Sequence, residues 1–157
     1  MSRQLRRDTD ANLTRIRNHA DPELPQDVAT KNYVDSNSRQ VLDTAVAGAT
    51  LSGHRIVTRR SNGKVTYASN ADLTDVNAPM WLTIASAVLD APVPVLLFGD
   101  VEEPSWSWTP GAAIYLTAAG ALTQVVPIAP AAFLVQVGYA TGTTSIVFDR
   151  GLSIELI

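Results

Sequence analysis

From about residue 51 the chain sets short apolar runs between turn residues. The runs HRIVTR, KVTYAS, MWLTIAS, VPVLLFG, SWSWT, AIYLT, LTQVV, FLVQVGYA, SIVFD and LSIELI are separated by signals such as SNG and AAG. Runs of this length, rich in β-branched and aromatic residues and bounded by Gly, Asn or Ser, are strand signals. Their regular spacing predicts a mainly β fold, an antiparallel β-sandwich or barrel knob over residues 51–157, with no helix-period segment of useful length. Within SWSWT, Trp106 and Trp108 share a face; within AIYLT, Ile114 and Leu116 oppose Tyr115. Pro92, Pro94 and Pro104 are expected at strand starts or edges, where a missing amide donor costs nothing.

Residues 1–50 have a different texture. Between Met1 and Asp21 the apolar positions are sparse (Leu5, Leu13, Ile16), and the prolines of DPELP disfavour helix at Asp21 and Leu24. Residues 1–25 therefore predict an extended arm. Asp27 or Thr30 can cap a helix, and no Gly or Pro interrupts before Gly48, so residues 26–50 predict a helical stalk running from about Val28 to Ala47. Val34, Val41, Leu42, Ala45 and Val46 make a narrow stripe interrupted by Asn37 and Ser38. So thin a stripe suits a short coiled coil of identical chains, with Val34, Val41 and Ala45 in the seam. It suits equally one amphipathic helix lying on its own domain.

With 157 residues, 46% of them apolar, the chain can build one good core. It has no cysteine, which removes disulfides, thiolate zinc sites and cysteine nucleophiles. The net charge of −3 is small, and Arg3, Arg6 and Arg7 form the one basic cluster. That cluster is too short for a nucleic-acid footprint without stacking partners and fits a solvated arm or a protein-binding peg better. No apolar stretch approaches the roughly 20 residues of a membrane span, and no apolar run follows the first arginines to make a signal peptide, so neither nucleic acid nor membrane insertion is expected.

The chemical alternatives are weak. Asp8, Asp10 and Asn12 imitate the first ligands of a calcium loop, but Leu13 and His19 stand where its glycine and bidentate glutamate are needed. Asp100, Glu102 and Glu103 could supply a carboxylate pair for glycoside hydrolysis, yet nothing in the sequence provides the apolar pocket that a general acid requires. Ser52 and His54 lack the strand-turn-helix setting of an activated serine, and GATLSGHR lacks the lysine and hydroxyl of a phosphate loop. No cofactor, metal site or enzyme activity is expected. Trp106, Trp108 and Tyr115, with Trp81, are the functional candidates that remain: aromatic faces on a β surface can stack on sugar rings, although alternate tryptophans can equally be core or subunit interface.

The stretch DPELPQDVATKNYVDS resembles a segment that recurs in tail-fibre, spike and other virion proteins of tailed bacteriophages, where a proline elbow leads into a short helix. The likeness is carried by Pro22, Pro25, Asp27, Ala29, Thr30, Lys31, Tyr33, Val34 and Asp35. NGKVTYAS, PGAAIYLTAAGALTQ and VGYATGTTSIVFD resemble small β domains of phage structural proteins in texture. The resemblance implies a virion protein, homotrimeric through Val34, Val41 and Ala45. The arm would hold it to capsid, collar or baseplate through Arg3, Arg6, Arg7, Leu13 and Ile16. The chain is short and without repeats, which favours a short fibre, adaptor or decoration protein over a long tail fibre. A receptor- or glycan-binding module displayed on the virion is the alternative, with host surface glycan as partner.

Overall fold

The structure, a computed structural model, describes residues 40–128, 133–151 and 153–156. The arm residues Arg3, Arg6, Arg7, Leu13 and Ile16, the Asp8 to His19 stretch and the helix-seam residue Val34 lie outside the described residues. The elements are β1 (Gln40–Val46), β2 (Ile56–Arg59), β3 (Val65–Tyr67), the short helix α1 (Leu73–Asn77), β4 (Met80–Thr83) and β5 (Pro92–Glu102). They continue with β6 (Ala113–Leu116), a 3-10 turn over Ala118–Gly120, β7 (Leu122–Thr123), β8 (Phe133–Ala140), β9 (Ser145–Phe148) and β10 (Ser153–Glu155). The protein is mainly β, with one α-helix among the described residues.

The strands form one ten-stranded sheet in the order β3-β2-β4-β5-β9-β8-β6-β7, with β1 added on β5 and β10 on β8. Every pairing of these strands is antiparallel. The long β5 organises them. Leu96 lies between Leu42 of β1 and Leu82 of β4, whereas Gly99 lies between Gln40 of β1 and Phe148 of β9. One edge of β5 thus serves β1, and the other serves β4 with its first half and β9 with its second, and the sheet curls into a half-barrel. The curl is held at its mouth where the turn after β6 meets β2: Gly120 N–H donates to Ala68 O (2.7 Å), and Ala68 N–H donates to Ile56 O (3.0 Å).

The sheet carries two buried clusters made by different side chains. Ile56, Leu82, Leu96, Ile114, Leu116, Val137, Ile146 and Phe148 make the larger cluster; Ala45, Leu51, Val57, Val65, Val93 and Val95 make the smaller. Neighbours on β2, Ile56 and Val57, belong one to each, as strand alternation requires. On β6, Ile114 and Leu116 are buried against Tyr115, as the alternation of AIYLT predicts. Each fully buried Leu, Ile or Phe contributes about 1.5–3 kcal/mol.

Residues 40–46 correct the expected stalk. They are a strand, not the last turns of a helix, and pair along their length with β5 from Gly99 to Pro92. The sheet therefore takes in residues 40–46 together with strands from beyond residue 51. Val41, Thr44 and Val46 are β-branched and lose rotamer freedom in a helix, while β5 offers them a complete ladder, so tertiary pairing overrides the absence of breakers. Val41 and Ala45 therefore line no helix seam: Val41 is exposed opposite Phe98, and Ala45 is buried in the smaller cluster.

Prolines and a capping bond fix where several elements begin and stop. Pro92 opens β5, Pro104 lies past its end, and Pro94 sits within it opposite Thr44. SWSWT, beyond β5, is not a strand: Ser105 belongs to a turn, and Trp106 to Thr109 have no regular secondary structure. Helix α1 starts at Asp72, whose carboxylate accepts from Thr74 N (2.8 Å) and is held below the usual carboxylate range by that backbone bond; it stops at Ala78, which Pro79 confines to extended backbone. No helix among the described residues is long and apolar enough to cross a membrane.

Candidate functional site

Three loop segments at strand ends meet in a cleft of about 350 Å³ lined by Gly53, His54, Arg55, Glu103, Ser105, Trp106, Trp108, Ala121 and Leu122. The first segment, Gly53 to Arg55, leads into β2. It is pinned by Thr83, which is fully buried: His54 N–H donates to Thr83 O (2.7 Å), Arg55 N–H donates to Thr83 Oγ1 (3.0 Å), and the Thr83 hydroxyl donates to Ser52 O (2.8 Å). These bonds hold His54 at φ 57, a left-handed conformation that costs a non-glycine residue about 1 kcal/mol or more.

The second segment follows β5. Glu103 N–H donates to Thr144 O (2.8 Å), Trp106 N–H to Glu103 O (3.0 Å) and Trp108 N–H to Thr143 O (2.7 Å), so the chain passes along the β9 hairpin without joining a ladder. Gln124 locks its far end with paired bonds to the backbone of Thr109, each 2.9 Å. The third segment, Ala121 and Leu122, comes from the turn that closes the half-barrel.

Across the cleft His54 Nδ1 lies 3.1 Å from Glu103 Oε2, and the other carboxylate oxygen accepts from Ser105 N–H (3.0 Å). The Ser105 backbone bond, aided by its side chain and by the charge of His54, holds the Glu103 carboxyl below the usual range. The Trp106 ring meets His54 at 5.4 Å in a T-shaped contact and Trp108 at 5.6 Å with the planes at 55°, distances at which such pairs attract. Both indoles are half-buried and pack on the larger core cluster. The Trp108 indole N–H is buried without a hydrogen-bond partner among the described residues.

The predicted site residues separate. Trp106 and Trp108 come together, but Tyr115 lies in a different groove, of about 450 Å³, with Leu134, Gln136, Tyr139, Asp149, Gly151 and Ile154. Trp81 lies on β4 under the Arg59 guanidinium at 5.0 Å. The acidic trio also divides: Asp100 and Glu102 stay on β5, where Glu102 accepts from the Thr144 hydroxyl (3.2 Å), and Glu103 turns to His54. A carboxyl held low is the wrong direction for the proton-donating acid of glycoside hydrolysis. His54 faces Glu103, so its neighbour in the sequence, Ser52, is not its partner in the ion pair. The His54–Glu103 pair and Arg55 could not be found from spacing, because they join residues 49 apart and no local pattern marks them. Among the described residues no group of three or more His, Asp or Glu side chains could hold a metal ion. No family model matches the chain, and no curated protein matches it.

Proposed function

We propose that the chain is a saccharide-recognition module displayed on a tailed-phage particle, binding sugar in the cleft of Trp106 and Trp108. One observation carries this reading: two half-buried indoles form an aromatic wall beside polar groups fixed in place by backbone bonds. Sugar rings present C–H faces to indole and hydroxyls to fixed acceptors, and concave, partly apolar sites of this size are where small ligands bind. The orphaned Trp108 N–H is a donor that a ligand hydroxyl would satisfy after a small shift of the ring. The phage setting rests on the likeness of residues 21–36 and on the β-domain texture of the later segments. A glycan panel tests the proposal: Trp106→Ala should weaken binding roughly tenfold or more, and Trp106→Phe should restore part of it. Thermal melts should show both variants folded. A folded Trp106→Ala protein that binds the same sugars as the parent would sink the reading.

A second reading, a structural virion part that assembles as a homotrimer, is favoured by the edge of β1. Val41, Leu42 and Phe98 are about half exposed there, at 51%, 55% and 47%, along a strand that among the described residues pairs with β5 alone. An exposed apolar edge strand is a template for association. The contact between copies then lies on β1 instead of a coiled coil. Light scattering should give a trimer mass that Leu42→Lys reduces; a monomeric parent would remove this reading.

A further inference from the structure

We infer that the ligand of the tryptophan cleft is an acidic saccharide, whose carboxylate is received by Arg55; this rests on the saccharide reading of the cleft. The described residues include five basic side chains with arginine or lysine identity, and four are engaged. Arg59 lies over Trp81, Arg60 pairs with Asp75, Lys64 pairs with Asp90, and Arg150 donates to Val76 O. Arg55 alone among them has no side-chain partner among the described residues, and the residue lines the cleft.

The backbone of Arg55, by contrast, is fully committed. Its N–H donates to Thr83 Oγ1 (3.0 Å) and its carbonyl accepts from Thr83 N–H (2.9 Å), directly after the strained His54. The loop is thereby fixed while the charged end is left for a ligand, the arrangement expected of a preorganised binding group. Arg55 is half-buried and lines the same cleft as Trp106 and Trp108, and at such a site a guanidinium–carboxylate bond is stronger than on open surface and can be bidentate. Glu103, the acid of the cleft, is occupied on one oxygen by Ser105 N–H and on the other by His54, so it does not serve Arg55. Its charge repels a second carboxylate nearby and favours a ligand whose acid group lies at the Arg55 end.

The test uses the full chain and titration calorimetry with three matched oligosaccharides: a uronic acid, its neutral hexose and a sulfated hexose. The uronate should bind at least tenfold tighter than the neutral sugar in low salt, with the difference shrinking as salt is added. Arg55→Gln should remove that preference, bringing uronate affinity down to that of the neutral sugar, while the melting temperature stays that of the parent; Arg55→Lys should restore the preference in part. Equal affinity for neutral and acidic sugars, tighter binding of the sulfated one, or an unchanged preference in Arg55→Gln would overturn the assignment to Arg55 and a carboxylate while leaving the saccharide reading standing. If none of the three binds, or if binding survives Trp106→Ala, both fall together.

Discussion

Replacing Gly120 by alanine should open the half-barrel, and the structure sets the size of the effect. Gly120 has φ +70, and a Cβ there would stand 2.3 Å from Ile56 O, 3.0 Å from Ile56 N and 3.2 Å from Ile56 C, all backbone atoms of β2 that no rotamer can move aside. Ordinary contact starts near 3.4 Å, so the turn must withdraw by about 1 Å, which breaks the bond from Gly120 N–H to Ala68 O. The left-handed backbone costs alanine about 1–2 kcal/mol and the lost bond, whose buried groups are left unpaired, about 1–2 kcal/mol, for a total of about 2–4 kcal/mol. For a unit of this size that lowers the melting temperature by roughly 8–15 °C. Gly111 is the control: it has φ +80 with nothing within 4 Å of a Cβ, so Gly111→Ala carries the backbone term alone, about 1–2 kcal/mol. Because Ala121 and Leu122 line the cleft, Gly120→Ala should also weaken sugar binding and Gly111→Ala should not. Equal melting temperatures for the two variants would refute the claim that the Gly120–Ile56 approach holds the sheet closed.

Buried and local charge give two further outcomes. Asp75, 2% exposed, accepts from Arg60, from Ser69 N–H (2.9 Å) and from the buried Thr58 hydroxyl (3.3 Å); Asp75→Ala strands all three and should cost about 3 kcal/mol in urea unfolding, at the low end for a broken buried pair because Arg60 can be rehydrated. Asp75→Asn, which keeps an acceptor, should cost less. Glu103 titrates lower in the folded chain than in the unfolded one, so its bonds to Ser105 and His54 stabilise the loop fully above the ordinary glutamate range, roughly pH 4, and are lost as pH falls through the depressed folded value. Indole fluorescence should therefore shift below about pH 4, and Glu103→Gln should abolish that acid limb.

How far the fold can be read without coordinates depends on whether the deciding contact is local. HRIVTR, KVTYAS, AIYLT and SIVFD signal strands by composition and period, and the SNG and AAG turns between them need nothing distant; all of these appear where the residues predict. Gln40–Val46 shows the opposite case. Its lack of Gly and Pro permits a helix, and only the unpaired edge of β5, some fifty residues later, makes it a strand. SWSWT fails for the same reason in reverse: it has strand periodicity, but the hairpin beside it takes up its backbone through Thr143 singly, so no ladder forms.

The site divides along the same line. Trp106 and Trp108 can be selected from the sequence because tryptophans two apart stay within ring contact along the chain whether or not a sheet forms. Tyr115 cannot be assigned with them, since its strand places it in another groove. His54, Arg55 and Glu103 become a set only when the entrance to β2 and the exit from β5 are brought together, and the same curl that buries Ile56 beneath the Gly120 turn does this. The cleft is therefore a product of sheet closure: its three segments are strand ends, each tied by backbone bonds to a rigid element, and it exists to the extent that the half-barrel stays shut. Ligand binding must then resist opening of the mouth. Saturating sugar should raise the melting temperature of the parent, and it should recover part of the stability lost in Gly120→Ala, since a ligand that binds the closed form alone pulls the equilibrium toward it.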